Sequence, residues 1–143
     1  MKKYILLLFA ISLLMGCDKD DYRSNNRYLP NYSFSVDINL DLPLYNQLNF
    51  VSSPVGIYQD GVGINGVIVT NTGGGTFTAF EASCPNQDLS SCSALTINGI
   101  LVRCNCDQVE YNLFTGQATS KVEFPLKAYR VQQIASNIIR VYN

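Results

Sequence analysis

From Ser33 to Leu42 the sequence SFSVDINLDL alternates strictly, with Phe34, Val36, Ile38, Leu40 and Leu42 on one side. That period of two predicts a half-buried β-strand with its apolar face inward. Pro43 and the stretch LYNQLNF break the pattern and leave room for a short helical turn. Further on, Gly66-Val67-Ile68-Val69-Thr70 and Thr76-Phe77-Thr78-Ala79-Phe80 flank Asn71-Thr72-Gly73-Gly74-Gly75, which predicts a hairpin. A second hairpin is expected at Leu95-Thr96-Ile97 and Ile100-Leu101-Val102. Asn98-Gly99 stands between them, the preferred pair for a type I′ turn because both positions need positive φ. A third turn falls at Phe114-Thr115-Gly116. The chain closes with Tyr129-Arg130-Val131, a turn near Ala135-Ser136-Asn137, and Ile138-Ile139-Arg140-Val141-Tyr142. No segment carries a sustained 3.6-residue apolar period. Short strands at close spacing predict an all-β antiparallel sandwich or small barrel. At 143 residues one domain is expected, large enough to bury a core without help from disulfides.

The N-terminus reads as an address. Lys2 and Lys3 precede the apolar run Tyr4 to Met15, which ends at Gly16-Cys17. This is the layout of a secretory signal, and the run is too short for a spanning helix of about 20 residues. Leu14-Met15-Gly16-Cys17 resembles the bacterial lipobox, in which the cysteine is lipidated and becomes the new N-terminus. The expected division is a lipoprotein signal peptide over 1–16, lipidated Cys17 with a flexible tether over 17–30, and a β domain over 31–143. Asp18, Asp20 and Asp21 around Lys19 resemble the export signal that carries Bacteroidota lipoproteins to the cell surface; a merely soluble linker is the alternative. The expected location is the outer membrane, lipid-anchored, on the cell surface or the periplasmic face.

Composition narrows the chemistry. There is no histidine, so no His general base, no Ser-His-Asp or Cys-His nucleophile and no His metal ligand can exist. Hydrophobic residues at 47% against 15% charged exclude a disordered chain, and a formal charge of −1 excludes a basic nucleic-acid binder. Losing Lys2 and Lys3 with the signal leaves eight basic against eleven acidic residues, a charge of −3. Such a domain has no electrostatic attraction to nucleic acid or anionic lipid, so its membrane contact is the acyl anchor.

Beyond Cys17 stand four cysteines, Cys84, Cys92, Cys104 and Cys106. In an exported domain an even number is first a disulfide framework, with three possible pairings. Cys104 and Cys106 are two residues apart, and a bond between them would be strained. Each is expected to reach Cys84 or Cys92 instead, and spacing alone does not choose.

The stretch from about Gly66 to Asn143 resembles a Rieske domain, the small all-β module that carries a [2Fe-2S] cluster. Cys84-Pro85-Asn86 takes the place of the family's first Cys-x-His. Cys104-Asn105-Cys106-Asp107-Gln108-Val109-Glu110-Tyr111-Asn112 takes that of Cys-Pro-Cys-His-Gly-Ser-x-Tyr-Asp. Leu113-Phe114-Thr115-Gly116 follows as the Thr-Gly turn, and Phe124-Pro125-Leu126 precedes the last hairpin. The resemblance implies a Rieske-like β fold whose cluster-ligand positions are Cys84, Asn86, Cys104 and Asp107, with both histidines lost. A Rieske centre needs two His on one iron, so no [2Fe-2S] cluster, metal or other cofactor is expected. The resemblance also implies the bonds Cys92–Cys106 and Cys84–Cys104.

Other motifs carry less. Gly73-Gly74-Gly75 lacks the helix and the Lys-Ser/Thr of a phosphate loop, and reads as a turn. Asp107 and Glu110, placed on a strand, would face opposite sides and do no joint acid–base work. Tyr22, Tyr28 and Tyr32 near the tether could dock on a partner, although most of the nine tyrosines should be packing. The expected function is non-enzymatic: a cluster-less binding or scaffold module, accessory to an envelope protein complex such as transport or secretion machinery. The alternative is a redox protein, either an unusual iron–sulfur carrier or a thiol–disulfide device.

Overall fold

The computed structural model describes residues 25–143. The signal peptide, Cys17, the acidic residues at 18, 20 and 21, and Tyr22 lie outside the described residues. Among the described residues nine strands form two antiparallel sheets. They are β1 (Ser35–Asn39), β2 (Val55–Ile57), β3 (Val67–Gly73), β4 (Thr76–Glu81), β5 (Leu95–Asn98), β6 (Leu101–Cys104), β7 (Glu110–Asn112), β8 (Ala128–Ala135) and β9 (Ile138–Tyr142). The larger sheet runs β1-β9-β8-β4-β3-β2 and the smaller β5-β6-β7. The all-β expectation holds. Among the described residues no helix is long and apolar enough to cross a membrane.

Strand β3 shows why its sequence is an unbroken apolar run. Val67 and Val69 pack with Ile38, Leu48, Ile139 and Val141 on one side, while Ile68 packs with Val102, Tyr111 and Leu113 on the other. A strand buried on both faces has no solvent side for polar residues. Each such Val or Ile contributes roughly 1.5–3 kcal/mol of burial. The second of these clusters joins the two sheets and surrounds Cys84 and Cys104.

Three expectations about the chain path need correction. The first strand is shorter than Ser33–Leu42: the Asn39 side chain accepts the Asp41 N–H, and Leu42 N–H bonds back to Asn39 O, so an Asx turn ends β1. Leu40 stays buried but Leu42 is exposed. The expected helical turn is a single 3-10 turn at Asn46–Asn49.

The Asn98-Gly99 hairpin turns one residue later than expected. Asn98 pairs with Leu101, leaving Gly99-Ile100 as the loop, and of these only Gly99 has positive φ (59°). Glycine at the first central position with a negative second φ is the type II′ pattern, which needs no Asn. The type I′ pattern lies instead at Gly74-Gly75 (φ 61° and 78°), between the paired Gly73 and Thr76.

Of the flexible tether expected over 17–30, the described residues 26–29 are packed on the domain. Leu29 is wholly buried, Arg27 pairs with Glu123 at 2.8 Å, and Tyr28 meets Phe124 edge to face. The buried Lys127 ammonium donates to the Leu29 and Pro30 carbonyls and anchors this strap. Tyr28 is thereby used in packing, while Tyr32 stays exposed.

Candidate functional site

Beyond β4 the chain crosses to the small sheet. Ala82 O accepts from Leu95 N–H, and Cys84 N–H donates to Ser93 O, so residues 82–84 run beside 93–95. Cys104 ends β6 directly opposite Leu95. This register brings Cys84 and Cys104 together, 20 residues apart in sequence and 5.5 Å between Cα atoms, as a disulfide. Both are wholly buried. The second disulfide joins Cys92 to Cys106, with Cα atoms 5.1 Å apart. Cys92 is exposed and Cys106 half-buried. These are the pairs that the resemblance implied.

The turn from Cys104 to Val109 is closed by its own backbone. Cys104 N–H donates to Val109 O, Gln108 N–H donates to Cys104 O, and Gln108 takes the left-handed φ of 65°. Asp107 is on this turn, not on a strand, and its carboxylate accepts the Val109 N–H at 3.0 Å. The strand geometry assumed for Asp107 and Glu110 therefore does not apply.

Asn86 is committed elsewhere. Its Nδ2 donates to the Tyr111 hydroxyl at 2.9 Å and to Phe124 O at 2.8 Å, and its Oδ1 accepts Phe124 N–H at 2.8 Å. One amide thus clamps the Cys84 loop to the segment before β8. Burial pushes the Tyr111 phenol above its ordinary range; the Asn86 bond works against that shift and the nearby Asp107 charge adds to it. Below the clamp, Leu126 N–H donates to Gly116 O, which ties that segment to the Thr-Gly turn.

No protein-family model matches this sequence, and no curated protein matches it. Solved structures do. The plasma-membrane Rieske protein PetC3 of the cyanobacterium Synechocystis is 18% identical, with 74% of this chain and 97% of that one covered and a TM-score of 0.52. The fold is Rieske-like. The ferredoxin of carbazole 1,9a-dioxygenase from Nocardioides aromaticivorans is also 18% identical, covering 73% of this chain and 95% of that one at a TM-score of 0.46.

A Rieske cluster takes two thiolates and two imidazoles, and the residues of this Rieske-like chain do not fit it. The Cys84 and Cys104 sulfurs are bonded to each other. At the positions that the sequence resemblance gives to the imidazoles stand an amide whose oxygen is held by Phe124 N–H and a carboxylate turned to Val109 N–H. Among the described residues no group of three or more His, Cys, Asp or Glu side chains is arranged to hold a metal ion.

Sequence reasoning missed two features beside this site. Glu81, wholly buried, accepts from Ile64 N–H, Asn65 N–H, the Ser83 hydroxyl and the Tyr129 hydroxyl. The other is the strap held by Lys127. Their signal was available: an acid closing the apolar strand TFTAFE, and a lysine inside PLKAY. Charges in such positions are buried only when paired or well hydrogen-bonded.

Proposed function

We propose that this protein is an exported, lipid-anchored binding or scaffold module in which a Rieske-like fold has given up its cluster, serving as an accessory subunit of an outer-membrane protein complex. The observation that carries the reading is the redeployment of the ligand positions. Cys84 and Cys104 cross-link each other, Asn86 clamps Phe124, and Asp107 closes a turn. Fold persists on packing, whereas function lives in the site; here the site's side chains support loops. The anchor at Cys17, the Bacteroidota-type acidic export signal and the surface or periplasmic location rest on the N-terminal sequence.

Affinity purification of the full chain from detergent-solubilised membranes tests the proposal. The expected result is a colourless, iron-free protein recovered in stoichiometric complex with envelope proteins. Recovery of monomer alone would remove the scaffold role. Brown protein with bound iron and free Cys84 and Cys104 would favour electron transfer. Replacing Cys17 with Ser should abolish acyl labelling; retained labelling would move the anchor elsewhere.

A further inference from the structure

The two disulfides sit in different surroundings. Cys84–Cys104 lies inside the apolar cluster between the sheets, wholly buried at both ends. Cys92–Cys106 joins two surface loops, with Cys92 exposed. The Ser90 hydroxyl stands 3.4 Å from the Cys92 sulfur and 3.7 Å from that of Cys106. Exchange requires a thiolate to approach a disulfide sulfur from outside, so access decides which bond reacts.

We infer that Cys92–Cys106 is a thiol-exchange site, open to attack by an external thiol at the Cys92 sulfur, while Cys84–Cys104 is a permanent structural bond. The thiolate of the incoming reductant attacks Cys92 Sγ, forming a mixed disulfide and releasing Cys106 as the thiolate. The Ser90 hydroxyl, which contacts both sulfurs, donates a hydrogen bond to the departing Cys106 thiolate and keeps its proton. A second reductant thiolate then attacks the reductant-derived sulfur of the mixed disulfide. Cys92 leaves as a thiolate and the two reductant molecules depart as their own disulfide. The protein has gained two electrons and both thiolates take protons from water. The inner bond, the Asn86 clamp and the β5–β6 register hold the domain together throughout. The site does not depend on the scaffold reading, since it needs no partner subunit.

The test treats the purified full chain, without denaturant, with reduced glutathione or dithiothreitol, then quenches with N-ethylmaleimide and maps peptides over time. Cys92 and Cys106 should be alkylated as a pair at least tenfold faster than Cys84 and Cys104. With glutathione the transient adduct should sit on Cys92. Reduction of both bonds together, adducts on Cys106, or no reaction until denaturant is added would each overturn the proposal. Ser90→Ala should slow opening of the outer pair several-fold and leave the melting temperature unchanged. An unchanged rate would overturn the role given to Ser90.

Discussion

Tyr129 donates its hydroxyl hydrogen to Glu81 at 2.7 Å, in a buried contact between residues 48 positions apart. Around the same carboxylate lie the Ile64 and Asn65 amides and the Ser83 hydroxyl, so β4, β8 and the loop before β3 converge on one charge. Breaking one bond to a buried ionised partner is costly because the charge left behind is under-solvated.

Tyr129→Phe should lower stability by about 1.5–3 kcal/mol, measured by urea unfolding at neutral pH. Its pH dependence has a definite sign. Burial, then the Glu81 charge, push the Tyr129 phenol far above its ordinary value of 10.0. The unfolded chain loses this proton near pH 10 while the folded chain keeps it, so stability is intact below that pH and falls as pH rises above it. The variant should show a shallower alkaline decline; an unchanged slope would place the linkage elsewhere.

Asn86→Ala removes three hydrogen bonds that join the Cys84 loop to Tyr111 and Phe124. The expected loss is about 2–3 kcal/mol. Asn86→Asp should be worse at neutral pH, because a carboxylate oxygen then faces the Phe124 carbonyl. Part of that loss should return as the carboxyl is protonated on acidification. Equal stability of the Ala and Asp variants at all pH values would contradict the clamp.

Gly116 shows a position where nothing else fits. Its φ is +73°, and a Cβ there would lie 2.7 Å from Phe80 Cε1. Gly116→Ala combines a left-handed penalty with a clash in the inter-sheet core, and should cost about 2–4 kcal/mol. Thermal unfolding reads it directly. Phe80→Leu in the same chain should recover part of the loss by removing the ring edge.

Thr70 is wholly buried in β3, and among the described residues its hydroxyl has no hydrogen-bond partner. Valine keeps the β-branched shape and strand preference and removes the polar atom. Thr70→Val should therefore raise stability by about 1 kcal/mol, seen as a melting point roughly 3–5 °C higher. A clear loss would show that this hydroxyl is satisfied in solution.

The sequence by itself determined the strand-rich class, the glycine turns, and the order of Cys84, Asn86, Cys104 and Asp107 along a Rieske-like path. These are local or motif-level properties: period-two alternation, residues that tolerate positive φ, and fixed spacing between neighbours. The lack of histidine excluded imidazole ligands from this sequence, because a missing residue type cannot be supplied by folding. The jobs now done at those positions were decided only in three dimensions. Asn86 meets Phe124 across 38 residues, Glu81 meets Tyr129 across 48, and Lys127 meets the Leu29 carbonyl across 98. Such contacts depend on which strands become neighbours, and no local pattern encodes that choice. The shifted hairpin at Gly99 is a one-residue difference in the register of β5 on β6, and Leu42 is turned outward by the Asx turn at Asn39; the hydrophobic pattern alone fixes neither.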